Sequence, residues 1–178
     1  GIERQARFAQ RQRVEERMDG IPTLQLIGVD EPIEQLIAHL TSTAPPILSI
    51  EGLGGIGKTT LAAAIVRRLF AGDTSASSPF DDFAWVSART AGLGQDGMLV
   101  GSGRSALSTE GMVAGFVQQL MPDEAPLLLD KPEQALAALQ HRVKRIPHLL
   151  VIDNLETVED LEALIPVVRS LAGPSRIL

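Results

Sequence analysis

A chain of 178 residues with no cysteine is long enough to bury roughly 70% of its unfolded surface in one core without disulfides. Its formal net charge of -6 argues against a dedicated nucleic-acid surface, which needs excess Lys and Arg to replace the counterions on phosphates. No apolar run approaches the roughly 18 residues of a membrane span, and no apolar segment follows the N-terminal charges, so the expectation is a soluble, cytoplasmic protein with no membrane contact.

In chain order, residues 1–20 alternate Arg4, Arg7, Arg11, Arg13 and Arg17 with Glu3, Glu15, Glu16 and Asp19, and read as a solvated helical linker ending near Gly20. Pro32 suits a first helical turn, and Ile33, Leu36, Ile37 and Leu40 then form one apolar stripe. Residues 47–50 read as a short buried strand, and Leu61, Ile65 and Leu69 as the buried side of a helix closing at Gly72. FAWVSA, residues 83–88, has the aromatic and β-branched content of a second strand. Residues 90–105 hold five glycines without a period and read as a loop or hairpin insertion.

Ser108 or Thr109 is placed to cap a helix carrying Met112, Phe116 and Leu120, closed by Pro122. A further helix after Pro132 aligns Leu136, Leu139, Val143 and Ile146. HLLVID, residues 148–153, is a third strand; residues 157–171 read as a helix that Pro166 kinks or breaks; and SRIL is a fourth strand. Short, continuously apolar strands alternating with helices predict an α/β fold with a parallel sheet covered on both faces. A chain stopping inside a strand suggests a fragment.

The chemistry concentrates at GLGGIGKTT, residues 52–60. Gly52, Gly57, Lys58 and Thr59 satisfy G-x-x-x-x-G-K-[ST] between a strand and a helix, where backbone N–H groups wrap a β-phosphate and the helix dipole favours its charge. Lys58 would bridge the β- and γ-phosphates, the Thr59 hydroxyl would ligate magnesium, and Thr60 would reach the α-phosphate. Asp153, at the C-terminal end of HLLVID, is the partner expected to hold Mg2+ directly or through water. His39, His141 and His148 have no ligand neighbours at zinc spacing, Asp81 and Asp82 read as a solvated pair, and Trp85 as core.

IGVDEPIEQLIAHL, GLGGIGKTT, FDDFAWVSA, LLVIDN and SRIL, in this order, resemble the nucleotide-binding part of the NB-ARC proteins in the STAND class of P-loop ATPases. The resemblance covers nearly everything after Pro22 and suggests a regulatory protein of bacterial type. It implies a three-layer P-loop NTPase domain over residues 21–178, truncated before the sheet and the helical and winged-helix subdomains are complete. It also implies a switch that holds ADP at rest, exchanges it for ATP and then homo-oligomerises, with effector and sensor domains outside this chain. No direct nucleic-acid binding is expected from this segment.

By that resemblance Ile27 and Gly28 lie against adenine, and Gly52, Gly54, Gly55, Ile56, Gly57, Lys58, Thr59 and Thr60 hold the phosphates. Thr59 and Asp153 hold the metal, and Lys58, Asp153 and Asn154 stand at the reacting phosphate. The family often has arginine where this chain has Val29, so no arginine contact is carried over. The family's γ-phosphate-sensing arginine would fall just after Leu178. Many relatives carry a second acid where this chain has Asn154, and an amide orients water but cannot take its proton. Glu156 is either a substitute base or a helix-start carboxylate. Slow ATP hydrolysis is therefore expected. The competing readings are a conventional P-loop ATPase or kinase with fast phosphoryl transfer, and a module that keeps ADP without turnover.

Overall fold

The computed structural model describes residues 2–18, 21, 28–43, 45–52, 57–70, 78–88, 107–155, 158 and 160–178. The loop expected at 90–105 and the adenine-side residue Ile27 lie outside them, as do Gly54, Gly55, Ile56 and Glu156.

The described elements run α1 (Ile2–Arg17), α2 (Asp30–Thr41), α3 (Lys58–Phe70), β1 (Asp82–Ser87), α4 (Thr109–Leu120), α5 (Ala125–Leu128), α6 (Pro132–Arg145), β2 (His148–Asp153), α7 (Leu161–Leu171) and β3 (Arg176–Ile177). The sheet has the order β1-β2-β3, all parallel, with Phe83 opposite Leu149 and Ser87 opposite Asp153. Residues 46–48 extend it beyond β3. Ile47 bridges Ile177 in parallel, the Leu48 N–H donates to the Ile177 carbonyl at 2.8 Å, and the Ile177 N–H donates to the Pro46 carbonyl at 2.9 Å. The segment that leads into the glycine loop therefore lies one strand away from β2, with β3 between them.

Both faces of the sheet are buried because side chains alternate along each strand. Ala84, Val86, Leu150 and Ile152 meet α4, α6 and α7 on one face, through Phe116, Leu139, Val143 and Leu171. Phe83, Trp85, Leu149 and Val151 meet α1, α2 and α3 on the other, through Val14, Ile33, Ile65 and Val66. This is the three-layer α/β arrangement of a P-loop NTPase domain, helices on both sides of a parallel sheet. Gly115 lets α4 lie close on β1, since a Cβ there would stand 2.7 Å from the Val86 Cγ1.

Several elements differ from their sequence reading, each for a local reason. One side of the second half of α1 is not solvated: Val14, and Met18 just after the helix, are each 1% exposed and belong to the core shared with α3, while Arg11, Gln12, Arg13, Glu15 and Glu16 are exposed. The arginines that mark a charged helix hide this face, because its apolar residues are few. Residues 47–50 form a single bridge and not a buried strand, and Ile47 is 38% exposed, because the segment pairs only on its β3 side among the described residues.

In α3 the buried positions are Thr60, Ala62, Ala63, Ile65, Val66 and Phe70, while Leu61 and Leu69 are half-buried. The small Ala62 and Ala63 share the buried face with Ile65, Val66 and Phe70, so side-chain size alone does not mark it. The last helix starts at Leu161, where the Asp160 carboxylate caps the Ala163 N–H at 3.0 Å. It runs through Pro166; Pro166 and Glu162 are both exposed, so the carbonyl that proline leaves unpaired faces water. The Ser108 cap is as expected, its hydroxyl accepting from the Gly111 N–H at 3.0 Å, whereas the single turn α5 has no sequence forerunner.

Asp82 is not part of a solvated pair. Arg17 donates to its carboxylate at 2.8 Å, and Arg13 stands 3.5 Å from its other oxygen. Arg17 also donates to the carbonyls of Phe83 and Gln119 and lies 5.3 Å over the Phe83 ring. Gln119 completes this edge: its Oε1 accepts from the Trp85 N–H at 2.8 Å and its Nε2 donates to the Trp85 carbonyl at 2.7 Å. A side-chain amide thus occupies the outer hydrogen-bonding edge of β1, where another strand would otherwise pair.

Candidate nucleotide site

Gly57, immediately before α3, has a φ of +78°, the left-handed conformation that glycine adopts without a Cβ penalty. The Leu61 N–H then donates to the Gly57 carbonyl at 2.8 Å, closing the first turn of α3 directly behind it. Lys58, the first residue of α3, donates its Nζ to the Gly52 carbonyl at 2.7 Å, so the ammonium joins the start of the helix to Gly52. An ammonium has three donors, so this bond leaves Lys58 chemically able to serve a phosphate as well.

One residue on, the Thr59 hydroxyl lies 2.9 Å and 3.0 Å from the two carboxylate oxygens of Asp153. Ninety-four positions of sequence separate them, and the contact exists because α3 packs on the sheet whose central strand ends at Asp153. Thr60 points inward and is 9% exposed.

Asn154 follows Asp153 with φ of +61°, the only positive φ outside glycine among the described residues. Asparagine tolerates this conformation better than most side chains, and it reverses the amide onto the end of the sheet. The Asn154 Nδ2 lies 3.1 Å from Asp153 Oδ2 and 3.1 Å from Ser87 Oγ. Since a carboxylate only accepts, the amide must present its nitrogen here and not its oxygen. Sequence reasoning pointed to Asn154 but not to Ser87; the signal available was the register that sets Ser87 opposite Asp153.

Lys58, Asp153 and Asn154 line a cavity of about 590 Å³ between residues 47–52 and the end of β2, together with Ser49, Glu51 and Gly52 and with the apolar Ile47, Ile50 and Leu178. On the α2 side Gly28 also has a left-handed φ, +76°, and leads through Val29 into the helix. Arg68 ties α2 to α3 by ion pairs with Asp30 at 3.0 Å and Glu34 at 2.7 Å. Of the sequence-predicted residues, then, Gly52, Lys58, Thr59, Asp153 and Asn154 converge, and Gly57 shapes the turn that aims them. Gly28 begins a different element. No cluster of three or more His, Asp or Glu side chains that would hold a metal by themselves occurs among the described residues, and no helix among them is long and apolar enough to cross a membrane.

Residues 29–95 match the NB-ARC domain model. Over 62 residues the chain is 45% identical to the probable disease resistance RPP8-like protein 4 and 44% identical to the disease resistance protein RPP8, both of Arabidopsis thaliana. Each alignment covers 34% of this chain and 6% of the relative, so the chain matches only a small part of those proteins' length. A putative inactive disease susceptibility protein, LOV1, of the same plant is 45% identical over 62 residues, 34% of this chain and 8% of that protein. No solved structure matches the chain. The segment of this chain that holds the P-loop is thus similar to the NB-ARC domain, and it is carried on a P-loop NTPase fold.

Proposed function

We propose that this chain is the adenine-nucleotide-binding part of a signalling switch, holding ADP at rest and ATP when active, with slow hydrolysis between the two. The observation that carries the reading is the Thr59–Asp153 contact beside Lys58, which gathers a cation, a hydroxyl and a carboxylate at the start of α3. A hydroxyl and a carboxylate in contact are hard oxygen donors, the type that magnesium takes together with water and substrate phosphates. Thr59 and Asp153 would hold that ion, which when bound offsets charge on the phosphate oxygens. Residues 52–57 and the first N–H groups of α3 would surround the β-phosphate, with Thr60 toward the α-phosphate and Ile27 and Gly28 toward adenine.

Slow turnover follows from Asn154. Its nitrogen is directed at Ser87 and Asp153, and an amide has no basic site for the proton of an attacking water. The relatives' names concern disease resistance and susceptibility, and a role in defence-type signalling fits this reading. Homo-oligomerisation on ATP binding, effector and sensor domains outside these residues and a cytoplasmic location belong to the same proposal. We assign the nucleotide-binding unit to residues 21–178, with α1 packed against it.

The test is to denature the purified protein, identify the released nucleotide by mass and measure turnover separately. The proposal expects close to one ADP per chain and turnover on the order of minutes, far below the 1–10³ s⁻¹ ordinary for enzymes. An empty site with turnover in that ordinary range would favour a conventional ATPase or kinase.

A further inference from the structure

Ser87 belongs to no nucleotide-binding motif read from the sequence, yet it ends β1 directly opposite Asp153 and accepts the Asn154 amide at 3.1 Å. The same amide nitrogen bonds Asp153 Oδ2 at 3.1 Å, so its two N–H donors link Ser87 to the carboxylate across the ends of two neighbouring strands. The Ala88 N–H also donates to the Asp153 carbonyl at 3.1 Å, holding the backbones in that register just where the side chains meet. A left-handed φ at Asn154 is a costly way to end a strand, and here it turns the amide back onto the sheet end.

We infer that Ser87 and Asn154 are positioning residues for Asp153: Ser87 anchors the Asn154 amide, which in turn fixes the carboxylate facing Thr59 and the metal. The inference rests on the reading of this site as a magnesium–nucleotide site. It assigns Asn154 to aiming the metal-facing carboxylate, not to orienting the attacking water. Hydrogen-bond partners behind a metal ligand set its direction, and losing one commonly weakens metal binding by about 10- to 100-fold.

The experiment measures binding of a non-hydrolysable ATP analogue to the wild-type protein and to Ser87→Ala, Ser87→Thr, Asn154→Ala and the double Ser87→Ala/Asn154→Ala variant, each with magnesium and with chelator. In Ser87→Ala the tightening that magnesium gives should shrink on the order of tenfold while chelator affinity stays within about twofold. Ser87→Thr, which keeps the hydroxyl, should restore it. The double variant should lose no more than Asn154→Ala alone, because the two residues act through one chain of bonds. Equal loss with and without magnesium, or unchanged magnesium dependence in Ser87→Ala, overturns the inference and leaves the nucleotide reading standing. A wild-type protein that binds no analogue, or binds it alike with and without magnesium, overturns the parent reading and this inference together.

Discussion

At one edge of the sheet β1 is sealed by the side chains of Gln119 and Arg17; at the other, residues 46–48 pair with β3, and the chain beyond them runs into the cavity lined by Lys58 and Asp153. The first edge satisfies its backbone with partners from α4 and α1, far away in sequence. The second keeps its charges beside an open cavity. The contrast separates two uses of polar groups in one small fold: on the β1 side they satisfy a strand edge and contribute stability, and on the loop side, in the proposed reading, they serve a ligand at little benefit to folding.

Truncating the sealed edge should therefore have the larger effect on folding. Gln119→Ala leaves the Trp85 N–H and carbonyl without their side-chain partners, at roughly 1–3 kcal/mol for each unsatisfied group. A loss of about 2–6 kcal/mol would lower Tm by roughly 4–24 °C in a chain of this size, whereas Lys58→Ala should stay within about 2 °C. Thermal unfolding of the two variants in the absence of nucleotide compares the edges directly; equal shifts would abolish the distinction.

A smaller effect comes from the far end of β2, away from the candidate nucleotide site. His148 is fully buried; its Nδ1 lies 2.6 Å from the Ile146 carbonyl, and its Nε2 finds no partner among the described residues. Burial holds its pKa below the ordinary 6.5, with the charge of Arg142 acting in the same direction and the Ile146 carbonyl, Asp81 and Asp82 against it. A lowered pKa means that the folded chain binds this proton less well than the unfolded chain does. Stability from this group is thus full above about pH 6.5 and declines as the pH falls below it, levelling off under the folded pKa. Denaturant titrations between pH 7.5 and about 5 should show that decline, and His148→Gln should flatten the part of it due to this residue.

The glycine loop and the HLLVID strand were legible because each is a local pattern: glycines, lysine and threonine at fixed spacing, or an apolar run ending in aspartate. Their meeting followed from placing strand ends on one side of a parallel sheet, although the sequence did not reveal that β3 stands between them. Arg17 and Gln119 were not legible. Their partners lie 65 or more positions away for Asp82 and Phe83, and 34 for Trp85, and an isolated arginine or glutamine on a helix looks the same whether it faces solvent or a strand edge. Ser87 was hidden for a related reason, since its partner depends on a strand register that no periodicity encodes. The inner face of α3 was read correctly at Ile65 but not at Leu61 and Leu69, which are half-buried, while the smaller Ala62 and Ala63 are buried.

Calorimetric titration of ADP with magnesium into the wild-type protein and Lys58→Ala asks whether the loop at 52–60 binds the phosphates of an adenine nucleotide. Removing a charge-assisted bond worth about 1.5–3 kcal/mol should weaken binding on the order of tenfold to a hundredfold, with Tm of the nucleotide-free protein nearly unchanged. Equal affinity in the two proteins would contradict the account, as would a wild-type protein that takes up no ADP.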